Sequence, residues 1–134
     1  MTPVQHRISG DELVFKLDDE LRIVRDELAG AASRIGRTIV KDGPLRVTIV
    51  GLHAGHELRE HKSPGPITIQ VLEGTITVNV AGKDCPLEQH GLVAIDGGVP
   101  HAVHSEHGGI FLLTVMHGGT AGPSAIPAST PRQP

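Results

Sequence analysis

Nine histidines stand in a chain of 134 residues, and six of them fall into two groups. His53, His56 and His61 form the first, and His101, His104 and His107 the second. Neutral imidazole is a ligand for Zn, Fe, Ni, Cu or Mn; without an ion it serves as a hydrogen-bonding group or an acid–base pair member near neutral pH. Two such groups on separate strands of a closed sheet meet inside it and share a dry, fixed geometry. The other reactive side chains have no comparable setting. Cys85 is the single cysteine, so it forms no internal disulfide. No sequence neighbour activates it, and it is expected as a small buried or half-buried apolar residue. Ser63 lacks the Ser-His-Asp context of a nucleophile.

Composition removes several function classes. Fifteen acidic side chains against twelve basic ones give a formal charge of −3, with no basic footprint for nucleic acid. Two Phe with no Trp or Tyr leave no platform for stacking bases, and no sugar site built on aromatic faces. No apolar run approaches the ~18–20 residues that span a bilayer. Residues 1–10 are polar and carry no secretory signal, so a reduced, cytoplasmic location is expected. The length suits one domain with one core.

The histidines need elements to hold them. Residues 13–17 form a short apolar run that predicts a first strand. Asp18 and Asp19 then supply N-cap oxygens and negative charge, and Leu21, Val24, Leu28, Ala31 or Ala32, and Ile35 recur at helical spacing. One amphipathic helix is predicted over about residues 19–33, packed outside a sheet. From Arg37 the period becomes two. Strands are predicted near 38–40, 45–50, 67–72, 75–80, 91–95, 101–105 and 110–116. Turn residues separate them, including Glu73-Gly74, Ala81-Gly82-Lys83-Asp84, Asp96-Gly97-Gly98 and His107-Gly108-Gly109. Asp96 is expected to shape its tight turn. Many short strands rich in Val, Ile and Thr indicate a β-sandwich or barrel. Residues 118–134 carry four prolines among small residues and are expected to lie outside the fold as a flexible tail. The chain thus divides into 1–36, a strand and helix; 37–117, the barrel; and 118–134, the tail.

The frame around the histidines is more specific than their number. Gly55, His61, Ser63, Ile67 and Gly74 stand at the spacing G-x5-H-x-H-x3-E-x6-G, and residues 70–74 read Gln-Val-Leu-Glu-Gly. His90, Asp96, Gly98, His101 and Ser105 stand at the spacing G-x5-P-x-G-x2-H-x3-N. These two frames resemble the two cupin motifs, over about residues 37–116, and the short gap between them resembles small single-domain bacterial cupins. The resemblance implies an all-β fold: a double-stranded β-helix, or jelly-roll barrel, with one N-terminal amphipathic helix packed outside. It also implies a homodimer.

In metal-binding cupins three His and one Glu hold the ion. By that resemblance His61 keeps the first ligand position and His101 the last. Ser63 stands where the second His belongs and Ile67 where Glu belongs; His90, Asp96 and Ser105 replace the Gly, Pro and Asn of the second motif. Alternation sends Ile67, Ile69 and Val71 to one face and Thr68 and Gln70 to the other, so Gln70 points away from the barrel. His101, Val103 and Ser105 share a face, with Ser105 ~13 Å along the strand; His104 and Glu106 face out. Two imidazoles without the carboxylate leave a divalent ion's charge uncompensated, which is costly in a low-dielectric pocket.

The residues leave two functions open. One is a binding module for a small molecule at His61 and His101, with Ser63, Ile67, Ile69 and Val103 lining the pocket. The other is a metal-dependent enzyme, such as a dioxygenase or isomerase, using a divalent Fe, Mn, Ni or Zn ion. His53 joins the pair only if the loop before Gly55 folds over the barrel mouth. Otherwise His53 is expected at the solvated surface, with His6, His56, His90, His104, His107 and His117.

Overall fold

The computed structural model describes residues 6–116. His117 and the segment 118–134 lie outside them. One helix and nine strands are described: α1 (Leu17–Ala29), β1 (Arg34–Asp42), β2 (Leu45–Leu52), β3 (His56–His61), β4 (Ile67–Gly74), β5 (Ile76–Val80), β6 (Lys83–Leu87), β7 (Leu92–Ile95), β8 (His101–Ser105) and β9 (Gly109–Met116). One sheet has the order β1-β2-β9-β4-β7 and the other β3-β8-β5-β6, with all pairs antiparallel. The chain crosses between sheets from β2 to β3, β3 to β4, β4 to β5, β6 to β7, β7 to β8 and β8 to β9, as in a jelly roll. The expected all-β barrel with one outer helix is what forms.

Alternation builds two cores. Ile67, Ile69 and Val71 on β4, Val50 and Leu52 on β2, and Phe111 on β9 turn toward Ile76, Val78 and Val103 of the facing sheet. All are nearly or fully buried. The other face of the five-stranded sheet carries Ile49 and Ile110, which meet Leu21 and Val24 of the helix in a second cluster. Gly51 sits under the helix, where an added Cβ would lie 3.1 Å from Leu28 Cδ2. Two ion pairs tie α1 to the sheet. Arg37 Nε meets Glu20 Oε1 at 2.8 Å, and Arg25 grips Glu73 through both Nε and Nη2.

Several local expectations are corrected. Residues 13–16 form no strand, and Leu17 instead opens the helix. The N-cap is Lys16, without a side-chain hydrogen bond; Asp18 and Asp19 lie inside the first turn, where their charge opposes the positive end of the helix dipole. The helix stops at Ala29, not near residue 33. Gly30 is a poor helix former, and Ile35 belongs to β1. Strand β6 takes Lys83 and Asp84 from the expected turn, leaving a two-residue loop of Ala81 and Gly82, both with positive φ. Pro86 fits within β6 because that strand is an edge, paired only with β5. The division between residues 36 and 37 falls inside β1.

His53 is the largest of these corrections. It is half-buried, and its Nε2–H donates to the carbonyls of Leu28 at 2.8 Å and Ala31 at 3.1 Å. Leu28 lies in the last turn, whose carbonyls lack intrahelical donors, and Ala31 lies two residues beyond the helix. His53 is therefore a cap for α1, reached from the end of β2, and takes no place beside His61. Replacing it with alanine is expected to cost about 1 kcal/mol in chemical unfolding. Amide exchange around residues 28–31 should also quicken. A variant as stable as the parent, with unchanged exchange, would show the cap to be idle.

Candidate functional site

The two histidines that keep cupin ligand positions end up side by side. His61 closes β3 and His101 opens β8, and the two are direct register partners after a bulge between Leu58 and His61. Their ring centroids lie 4.3 Å apart with the planes inclined at 64°. His101 is 2% exposed, whereas the His61 residue is exposed. The pair is thus a buried imidazole with a second one at its outer side.

Both rings have their tautomer set in the same way. Nδ1 of His61 lies 3.0 Å from the carbonyl of Arg59, and Nδ1 of His101 lies 3.0 Å from the carbonyl of Val99. A carbonyl only accepts, so each Nδ1 carries the proton and each Nε2 of the neutral ring is a lone pair. Nε2 of His101 is buried and has no hydrogen-bond partner among the described residues. An unsatisfied buried group of this kind costs on the order of 1–3 kcal/mol, so its position calls for an explanation beyond folding.

The surrounding residues divide clearly. Ile67, Ile69 and Val103 are buried on inward faces of β4 and β8. Ser63 is half-buried in the β3–β4 loop, where its carbonyl accepts from Gly98 N–H at 2.8 Å. Ser105 is buried, but its hydroxyl donates to the Thr75 carbonyl at 2.6 Å and is spent on the fold. Gln70 turns outward toward the loop at His90, so it does not replace the missing carboxylate. His56, His90, His104 and His107 are exposed. His6 departs from a purely solvated position: it is half-buried, edge-on to Phe15 at 5.3 Å. Asp96 Oδ1 accepts from Gly97 N–H at 2.8 Å, the turn-shaping role of an Asp before glycines. Cys85 is half-buried against the inner core.

The fit of a metal centre follows from these donors. No group of three or more His, Cys, Asp or Glu is placed to hold an ion among the described residues. Catalytic zinc sites use three protein ligands plus water. Two imidazoles, with a hydroxyl and a buried isoleucine in the other two positions, do not make that set. The cavities at the end of α1, beside β5 and β6, and at Pro66 and Ala94 do not have His61 or His101 among their lining residues. The sequence frame marked the two ligand positions, but the free Nε2 on a buried ring comes only from the backbone carbonyls two residues before each histidine.

Among the described residues, no helix is long and apolar enough to cross a membrane. No curated protein matches the chain. Among solved structures, a conserved protein of unknown function from Streptococcus pyogenes is similar over 87% of this chain and 96% of its own, at 21% identity and a TM-score of 0.64. An RmlC-like cupin from Shewanella frigidimarina is similar over 63% of this chain and 77% of its own, at 21% identity and a TM-score of 0.60. A salicylate 1,2-dioxygenase from Pseudaminobacter salicylatoxidans is similar over 76% of this chain but only 34% of its own, at 19% identity and a TM-score of 0.67. At these identities the likeness is one of fold. The family model described as the cupin domain matches residues 39–117, and the chain with its paired histidines on β3 and β8 belongs to the cupin family.

Proposed function

We propose that this cupin is a small-molecule-binding protein whose ligand donates a hydrogen bond to Nε2 of His101, beside His61. The observation that carries this reading is the buried, partnerless Nε2 of His101, held as a lone pair by the Nδ1 bond to Val99. Ile67, Ile69 and Val103 supply apolar surroundings, and Ser63 supplies a nearby polar group. The exposed ring of His61 lies on the access side, so a ligand reaches His101 past it. Because the His101 ring is buried, the ligand is small or enters as the His61 ring turns aside.

The ¹⁵N shift of His101 Nε2 tests this, measured in protein as purified and again after unfolding, dialysis and refolding. A held ligand gives a shift that moves on stripping, together with an added mass in native mass spectrometry. An unchanged shift and no added mass overturn the proposal. His101→Leu gives a second readout. The change removes the partnerless Nε2 but also the Nδ1–H bond to the Val99 carbonyl, so the two effects offset and stability should stay within about 1 kcal/mol of the parent. The same variant should lose the added mass. A large loss of stability with ligand retained would make His101 a structural residue.

A second reading, a metal-dependent cupin enzyme, is favoured by the matched tautomers, since both Nε2 atoms are free to coordinate. Here water or an anion completes the ion's shell. Stoichiometric Fe, Mn, Ni or Zn in the purified protein, lost separately in His61→Ala and His101→Ala, would select it over the first.

A further inference from the structure

A cavity of about 430 Å³ lies at the other end of the barrel from His61. It falls within the roughly 300–1,000 Å³ range of small-molecule sites. Strand β8 leads away from His101 to Ser105, ~13 Å further along, and the turn after it forms one wall at His107 and Gly108. The C-terminal end of α1 forms another, through Arg25 and Leu28, and His53 and Glu73 close the rim. The two imidazole-bearing sites are therefore separate.

The polar groups of this cleft leave donors free. Glu73 has both carboxylate oxygens occupied by Arg25, with Nε at 2.9 and 3.0 Å and Nη2 at 2.6 Å. These bonds and the carboxylate's charge push the Arg25 pKa up, so the guanidinium is a permanent cation. Arg25 Nη1 makes no hydrogen bond among the described residues, and a guanidinium offers five N–H donors in a planar fork. The Nε–Nη2 edge is thus held by Glu73, and Nη1 is left without a partner. With the Arg25–Glu73 charges balanced, the imidazoles of His53 and His107 are the remaining ionisable groups lining the cleft. Leu28, Leu52 and Ile110 supply apolar wall.

We propose that this cleft is a second binding site, for a small monocarboxylate with an apolar body. The carboxylate pairs with the open edge of Arg25 in the two-point geometry that guanidinium favours. The apolar part lies against Leu28 and Ile110. Glu73 serves as a positioning residue that fixes the fork. The charge of Glu73 is already paired with Arg25, so a cation gains little there, and a neutral amide forfeits the charge-assisted bonds.

The test titrates the full chain, with labelled methyl and amide groups, against butyrate and benzoate and against their neutral amides. The expected result is saturable shifts at Leu28, Ile110 and Gly108 with the carboxylates, the amides binding about tenfold more weakly or worse. The His101 ring signal should stay still. Arg25→Gln should abolish the preference. Because that change also frees Glu73, Ala54→Phe is the companion variant: it fills the rim, keeps the Arg25–Glu73 pair and should block both probes. Equal binding of acids and amides overturns the proposal. So does the absence of saturable shifts, or carboxylate binding that survives in Ala54→Phe.

Discussion

Phe111→Ala is expected to destabilise the protein by about 3–5 kcal/mol. Phe111 is fully buried at the inward face of β9, opposite Val50 of β2 and Val71 of β4. It is the largest of the fully buried side chains, and its neighbours in the inner core are aliphatic. Strands on both sides fix those neighbours, so the space it leaves cannot collapse fully, and the lost packing adds to the lost burial. Equilibrium denaturation measures the cost directly. Phe111→Leu, which keeps most of the volume, should cost less than about 2 kcal/mol. A loss below about 1 kcal/mol for the alanine variant would mean that the two sheets close around the gap.

Gly74→Ala should be nearly as damaging, for a backbone reason. Gly74 ends β4 with φ of +76°, a region that costs an L-residue roughly 1–2 kcal/mol. An added Cβ there would also run into the carbonyl oxygen of Gly108 and sit 3.0 Å from the Cα of Gly109. Both obstacles are backbone and neither can swing away. Gly98→Ala is the control, because Gly98 has φ of +79° but no atom within 4 Å of the added Cβ. We expect Gly98→Ala to lose about 1 kcal/mol and Gly74→Ala to lose at least twice as much in the same unfolding experiment. Equal losses would remove the close approach of the β4–β5 and β8–β9 turns as the cause.

Period-two alternation made most of the barrel legible. Ile67, Ile69 and Val71 announce one inward face, and the turns at Glu73-Gly74, Asp96-Gly97-Gly98 and His107-Gly108 separate strands as their Gly and Asp residues indicate. Strand β3, His-Glu-Leu-Arg-Glu-His, was hidden because every residue of this exposed edge but Leu58 is polar or charged. Strand β6 was hidden by Pro86, which reads as a breaker until its edge position is known. The helix end was misplaced because Ala31, Ala32 and Ile35 continue the apolar spacing past Gly30, and spacing alone carries no stop signal there.

The site was legible to the same degree and no further. Spacing singled out His61 and His101, since each stands in a recurrent frame. Which nitrogen each ring leaves free depends on the carbonyls of Arg59 and Val99, set by local backbone geometry. The role of His53 depends on carbonyls more than twenty residues earlier. Nor does any sequence signal join Arg25 to Glu73 across forty-eight positions.

The docking of α1 bears on where this protein begins as a folding unit. The family match starts at residue 39, yet Ile49 and Ile110 are covered by Leu21 and Val24 of the helix. A barrel cut free at that boundary would lose part of β1 and show water a greasy plate on its five-stranded side, the kind of bare patch that drives molecules to clump. The cover is held at one end by Arg37 and Glu20 and at the other by the ring of His53. Any shortened version meant for crystals, labels or fusion therefore has to start ahead of Leu17.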